Sequence, residues 1–341
     1  MNIQFNTARF KSNKRSVWGL WIFSFLLIIS LLAKFIANDK PLLVSYKQKL
    51  YSPLFFSYSE QEFGGDFETE ANYRDPHVKN LIQSKGWMLW APIPYSYDTV
   101  NYELDRPAPS APTTDNWLGT DDQGRDLLAR LIYGTQFSIF FGLSVIVISA
   151  LIGFFMGAVQ GYFGGYVDLI LQRFMEIWSG LPVLFILIIL SSLTAPTFGW
   201  LLLIISLFQW MILVPIVRVE FLKTRNFEYV KAAKAMGIPS LTIILGHILP
   251  NIIGAPLSLI PFMLTLSISL LTTLDFLGIG LPLGSPSLGE ILHQGKNNLH
   301  APWIGISGFT TLSLLLCNLI FIGEGIRDGF RTQTPQPMEG L

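Results

Sequence analysis

From Phe137 to Phe163 the chain runs without a charged side chain, and a longer uncharged stretch lies between Glu176 and Arg218. Nothing else in the sequence constrains the fold as much. A segment in lipid finds no water and must close its own backbone hydrogen bonds, which for one continuous run means a helix of about 20 residues. Six such helices are expected. The first covers 17–36, with Lys34 near enough to its end to snorkel, and the second covers 137–163. The stretch between Glu176 and Arg218 is too long for one crossing and is interrupted at Thr194-Ala195-Pro196-Thr197-Phe198-Gly199, which predicts two helices joined by a tight turn. Segments 252–274 and 303–323 complete the set. Composition agrees: of 341 residues 51% are hydrophobic and 13% charged, with mean hydropathy +0.47, whereas a soluble domain carries about a quarter charged residues.

Basic residues beside a span resist translocation and so set its orientation. Residues 1–16 hold Arg9, Lys11, Lys14 and Arg15 and no acid; 218–250 holds Arg218, Lys223, Arg225, Lys231 and Lys234; 275–302 holds only Lys296. The expected arrangement puts the N-terminus (1–16), the C-terminus and 218–250 in the cytoplasm, with 37–136 outside and a membrane core over 137–341. A cleaved signal peptide is the other reading of the first span. Its apolar run is long, however, and no small-x-small cleavage site follows, so it reads as an uncleaved helix.

The 23 basic and 23 acidic residues cancel, which argues against a nucleic-acid binder, since phosphate needs a surplus of Lys and Arg. Cys317 has no partner for an intrachain disulfide, and Leu314, Leu315, Leu316 and Leu319 beside it predict inert packing. The sequence holds no GxxxxGK[ST], HExxH, GxSxG or CxxC, and His77, His247, His293 and His300 lack metal-ligand spacing. No catalytic, cofactor-binding or metal residues are therefore expected, and the chain does not read as an enzyme. An ion-coupled carrier working alone and a non-transporting membrane anchor are the alternative functions. The first needs charges in the middle of its spans, and these are missing. Asp275, just past the fifth span, reads as an interfacial carboxylate.

The segment 37–136 differs from its surroundings: between Asn38 and Gln136 acids outnumber bases 14 to 9, and Tyr, Phe and Pro are frequent. It reads as an irregular periplasmic insertion whose aromatics, including Trp87, Trp90, Tyr95 and Tyr97, could form a small core or rest on the membrane. In the second span Gly153, Gly157 and Gly161 share one helical face, which predicts close packing on another helix. Gly164 and Gly165 then permit a sharp turn before Asp168, with Arg173 and Glu176 in a charged interfacial loop ahead of span three.

Two segments carry more information. Good helix formers run from Glu228 to Met236, Gly237 can take a left-handed stop, Pro239 cannot continue the helix, and Ser240 can cap a second helix ending before Pro250. The result is an elbow over about 228–249, with small Ala232 and Ala233 on a surface that a partner can approach. Ahead of span two stands Trp117-Leu118-Gly119-Thr120-Asp121-Asp122-Gln123-Gly124-Arg125-Asp126. Thr120 with Gln123 can form a capping box, and 126–133 reads as an interfacial helix ended by Gly134. Asp121 and Asp122 lack a histidine or a second carboxylate within reach, so catalysis is rejected. Arg125 falls where a calcium loop needs an oxygen. Gly119, Thr120, Asp121, Gly124, Arg125 and Asp126 therefore read as a cap that orders the outer mouth.

Lys231-Ala232-Ala233, Gly237 and Ile248-Leu249-Pro250 resemble the EAA loop of ABC importer permeases, with Lys231 where that motif has Glu. Residues 118–126 match the LGTDxxGRD signature of the dipeptide and oligopeptide subfamily. The likeness runs from Trp117 to the C-terminus and includes Gly161-Tyr-Phe-Gly-Gly165, Asp275-Phe-Leu-Gly278 and Pro286-Ser287-Leu288-Gly289. Asp275 and Leu288 stand where many members have Ser and Trp. The insertion, with Gly64-Gly65-Asp66-Phe67-Glu68-Thr69 and the run from Trp87 to Asp98, is similar to a branch that imports oligopeptides and microcin C. The resemblance implies an all-α membrane protein of the type I ABC importer permease fold in the bacterial inner membrane. It also implies a role for Glu228, Lys231, Ala232, Ala233, Gly237, Leu249 and Pro250 in ATPase coupling. Implied partners are a second permease (YejB-like), a cytoplasmic ATPase (YejF-like) that holds ATP and Mg, a periplasmic peptide-binding protein (YejA-like), lipid and a peptide substrate.

Overall fold

The computed structural model describes residues 5–282 and 284–330; residues 1–4, Leu283 and 331–341, the last being the end of the expected cytoplasmic tail, lie outside the described residues. Helix α1 (Thr7–Ser12) starts where the Asn6 carboxamide oxygen accepts from the Ala8 and Arg9 N–H groups. It is followed by α2 (Lys14–Leu31) and the one-turn α3 (Ala33–Ile36). Strands β1 (Leu43–Tyr46) and β2 (Lys49–Tyr51), helix α4 (Pro76–Gln83) and strand β3 (Gly86–Leu89) make up the insertion. Next come α5 (Leu127–Phe163), α6 (Gly165–Ser179), α7 (Val183–Leu193), α8 (Phe198–Thr224) and α9 (Glu228–Ala235). The chain continues through α10 (Ser240–Ile252), α11 (Gly254–Phe276), α12 (Leu288–Asn297) and α13 (Pro302–Phe330).

Among the described residues α2, α5, α8, α11 and α13 are long and apolar enough to cross a membrane, and α6 with α7 makes a sixth candidate bent by 64°. The expected third span is thus a broken element. Alone, the 11 residues of α7 reach about 16 Å, roughly half a hydrocarbon core. Pro182 causes the break, because the residue before a proline is pushed out of helical geometry. The expected turn at 194–199 is present: Thr194 ends α7 in extended geometry, and the Thr197 hydroxyl caps α8 through the Trp200 N–H.

The second span also differs from expectation. No interfacial helix stops at Gly134; α5 starts at Leu127 and runs 37 residues. Glycine weakens a helix by about 1 kcal/mol but does not end one when both sides are good formers. Here it makes room, since a Cβ at Gly134 would stand 3.3 Å from the Leu288 backbone nitrogen.

Contacts divide the chain into two compact units. One comprises Phe25–Ser138 and Thr272–Ser313. Its insertion is less irregular than expected. Strand order is β2-β1-β3, antiparallel, with Val44 opposite both Tyr51 and Met88. Lys47 and Gln48 both take positive φ, as a type I′ hairpin turn requires. Phe63 is the hub of its core, meeting Tyr46, Tyr51, Tyr58 and Tyr73 edge to face over Val78 and Ile82. Trp90 packs against this core, Tyr95 and Tyr97 join a second cluster with Tyr133, and Trp87 stays exposed.

The other unit comprises Met1–Ser24, Ile139–Leu271 and Leu314–Leu341. Here the glycine face does what its spacing predicts: a Cβ at Gly153 would lie 2.7 Å from the Trp210 carbonyl oxygen, and one at Gly157 2.7 Å from Val217 Cβ. Gly161 abuts Phe221 and the Arg218 carbonyl in the same way. Cys317, expected to pack, is exposed on α13, because its neighbours Leu315 and Leu319 take the buried positions of that helix.

Candidate functional site

Two groups of residues singled out by the sequence are built into defined sites, one in each unit.

In the unit that carries the insertion, Gly119 takes φ +77 and leaves no space for a side chain beside the Ser110 carbonyl. The Thr120 hydroxyl accepts from the Ser110 N–H at 2.8 Å, and its carbonyl accepts from the Trp303 indole at 3.3 Å. The expected capping box is therefore absent: Thr120 is spent on Ser110, and Asp121 shapes the turn. Asp121 Oδ1 accepts from the Gln123 and Arg125 N–H groups, both at 2.9 Å. The helix cap is Asp126, whose Oδ1 accepts from the Ala129 N–H and whose Oδ2 accepts from Asn116, both at 2.8 Å. Burial pushes the Asp126 carboxyl above its usual range, against the opposing pull of those two donors.

Behind this turn sits a buried ionic quartet. Asp121 Oδ2 lies 2.7 Å from Arg125 and 2.7 Å from Arg130, while Glu290 lies 3.3 Å from Arg125 and 3.0 Å from Arg130. Two guanidiniums and two carboxylates cancel, which is what allows such charges to be buried. Arg130 is fully buried and also donates to the Ser285 carbonyl at 3.2 Å. Burial raises the Glu290 carboxyl, and Arg125 counters that. Gly124, at φ +78, donates to the Asp121 carbonyl and accepts from the Asn101 N–H. Asp275, expected at an interface, is buried; it accepts from the Leu281 N–H at 2.8 Å and from the Ser287 hydroxyl that caps α12. Sequence reading missed Arg130 and Glu290. A lone arginine among Ala129, Leu131 and Ile132 was the available signal, since a charge in such company requires a partner.

In the other unit α9 ends in a Schellman motif: the Gly237 N–H donates to the Lys234 carbonyl and the Ile238 N–H to the Ala233 carbonyl. Gly237 takes the expected left-handed conformation at φ +76, in open space. Val230 and Ala233 are buried against Tyr162, Val217, Phe221, Ile243 and Ile248. Only Ala232 of the alanine pair is exposed, because successive helical positions lie about 100° apart. Ser240 does not cap a helix; its hydroxyl accepts from the Tyr162 hydroxyl at 3.2 Å. Nor does α10 stop before Pro250. Its middle, Ile243–Ile248, winds as a π-helix and the Leu249 N–H reaches back to the Ile244 carbonyl, a wider turn that accommodates the proline ring. Lys231 pairs with Glu228 at 3.1 Å, both well exposed. Met236, Leu241 and Leu245 are exposed apolar side chains on the same elbow.

The elbow is fastened to the turn after α5. Arg225 donates to the Gly161 and Tyr162 carbonyls at 3.3 Å, and Lys234 Nζ sits 4.5 Å over the Tyr162 ring. The turn uses Gly164 and Gly165 at φ +66 and +54. Beyond it Asp168, expected in a loop, lies on α6 and takes both arms of Arg218, at 2.5 and 2.7 Å. Arg173 and Glu176 form a surface pair on the same helix.

The family described as binding-protein-dependent transport system inner membrane component matches residues 149–323, and the N-terminal TM domain of oligopeptide transport permease C matches 7–63. The inner membrane ABC transporter permease protein YejE of Escherichia coli K12 is 54% identical over 323 residues, covering 95% of each chain. A peptidoglycan transport system permease protein YejE of Agrobacterium fabrum is 49% identical over 345 residues, 94% of this chain and 90% of that one. The oligopeptide permease OppC of Haemophilus influenzae is 34% identical over 239 residues, 69% and 76% of the two chains.

Proposed function

We propose a function that proceeds from one fact: the chain belongs to the family of binding-protein-dependent transport system inner membrane components. It is a non-catalytic, multi-pass permease subunit of a peptide-type ABC importer, a class that works with a second permease, an ATPase and a binding protein. On our reading residues 228–249 face the cytoplasm and dock on that ATPase, which holds ATP and Mg, while the insertion and the quartet face outward, where the binding protein delivers peptide. Both termini are then cytoplasmic. The substrates are oligopeptides and peptide-like compounds of the microcin C type, and the partners are YejB-, YejF- and YejA-like.

The observation that carries this reading is the elbow itself. Its inner face is welded to the end of α5 through Tyr162, and its outer face presents the exposed side chains of Met236, Leu241 and Leu245. A push on that face is transmitted through Tyr162 and Arg225 to the turn at Gly164, so closure of the nucleotide domains has a rigid part to move. Two conformations populated differently with and without ATP then give alternating access. Lys231 replaces the usual Glu, but its pairing with Glu228 leaves the elbow neutral at that point.

The test is reconstitution of the four components in proteoliposomes. ATP-dependent uptake of a tripeptide, abolished by Leu241→Glu in this chain with the permease pair still assembled, is the expected result. Uptake that persists without the ATPase would favour an ion-coupled carrier and end this reading.

A further inference from the structure

Where α5, α6 and α8 meet, a cavity of about 330 Å³ is lined by Gln160, Gln172, Met175, Glu176, Met211 and Arg218, among others. Three features set it apart from the surrounding apolar bundle. Gln160 is buried to 1% exposure, and the partner of its carboxamide N–H is a thioether, Met175 Sδ at 3.3 Å. Sulfur is a weak acceptor, so a buried amide held in this way retains most of its capacity for a better one. The regular winding of α8 is interrupted at the same place: Trp210–Ile212 forms a 3₁₀ turn, and Pro215 has no N–H to offer the Met211 carbonyl. Irregular backbone at membrane depth is tolerated where it is buried in protein or lines a water-filled cavity. Finally, the charges around the cavity are already matched, Arg218 by Asp168 and Glu176 by Arg173.

Gln172 in turn donates to Glu176 only at a long 3.4 Å, so both amides of the cavity are weakly held. A neutral cavity lined by weakly held amides suits another amide and has no preference for a net charge. We propose that it is a transit subsite for the main chain of a peptide on its inward passage, with Gln160 and Gln172 as hydrogen-bonding groups. This rests on the peptide-importer reading and extends it: the subsite accepts peptide backbone irrespective of side-chain charge, which a carrier of mixed peptides requires.

The test uses the complete four-component assembly. In a Cys317→Ser background Met211→Cys places one thiol in the cavity, and its labelling by a small water-soluble thiol reagent is followed in detergent without nucleotide. Trialanine slows labelling about fivefold if it occupies the cavity, as does a tripeptide carrying lysine or glutamate in the middle. In parallel, Gln160→Met with Gln172→Leu keeps side-chain volume and removes both amides. Uptake of trialanine then falls about tenfold, the loss expected of two neutral hydrogen bonds, while ATP hydrolysis stimulated by the binding protein is retained. Wild-type uptake with no protection of the thiol overturns the subsite alone. Absence of ATP-dependent uptake in the wild type overturns the importer reading, and thiol protection still decides whether the cavity takes peptide. If the double variant fails to assemble, the labelling result stands by itself.

Discussion

Arg130 Nη2 lies 3.0 Å from Glu290 Oε2, so residues far apart in sequence are joined by an ion pair whose arginine has no exposed surface. The pair fixes α12 against the first turn of α5, within the unit that carries the insertion.

Removing one side leaves a buried charge without its counterpart. Arg130→Met is expected to cost about 3–5 kcal/mol, whereas Arg130→Met with Glu290→Met recovers a large part of that loss. Thermal unfolding of the purified assembly in detergent checks both. A double variant whose loss equals the sum of the losses in Arg130→Met and Glu290→Met alone would show that the two residues act independently.

The Asp126 carboxyl, raised by burial, makes a prediction about pH. The ordinary aspartate value is 3.8, so with a higher value in the folded protein the native state binds this proton first as pH falls. Its contribution to stability is complete below the ordinary value and is lost as pH rises through the folded one. Asp126→Asn keeps an acceptor for the Ala129 N–H and abolishes the titration. The melting temperature of the wild type relative to this variant is therefore expected to increase from pH 7 towards pH 4. A flat or opposite difference would mean that the paired donors outweigh burial.

At Gly157 an added Cβ meets Val217 at 2.7 Å, while at Gly199 it meets nothing within 4 Å. Gly157→Val is expected to lose about 1–3 kcal/mol through overpacking, and Gly199→Ala to be neutral or slightly stabilising. The yield of folded protein extracted from membranes and its melting temperature separate the two.

Gly237 isolates backbone geometry from packing, because its φ of +76 lies in open space. Asn tolerates this region and a β-branched residue does not. Gly237→Asn should therefore copurify with the ATPase at close to wild-type yield, and Gly237→Val should lose it while remaining membrane-inserted. Equal recovery from both variants would detach the elbow from coupling.

The long spans were legible because lipid imposes one requirement on every crossing segment, and an uncharged run such as 137–163 has no other way to satisfy it. Gly153, Gly157 and Gly161 were legible for a similar reason, since helical spacing alone puts them on one face. What escaped was set by contacts between distant residues. Thr120 could have capped a helix or bonded Ser110, and only the fold selects Ser110. Ala233 and Ala232 look alike in sequence and differ in burial through the phase of α9. The break at Pro182 was visible as a residue type, but nothing local told that it would divide a crossing. The sheet of the insertion was hidden by strands of 3 or 4 residues, too short for alternation to register.

The matched signs of the quartet also bear on energetics across the bilayer. Each elementary charge displaced through the full potential is worth about 2.3 kcal/mol per 100 mV. Asp121, Arg125, Arg130 and Glu290 travel, if they travel at all, as a body of zero valence. Moved together, these four side chains do no net electrical work, and a de-energised cell with ample nucleotide should carry them as readily as a polarised one.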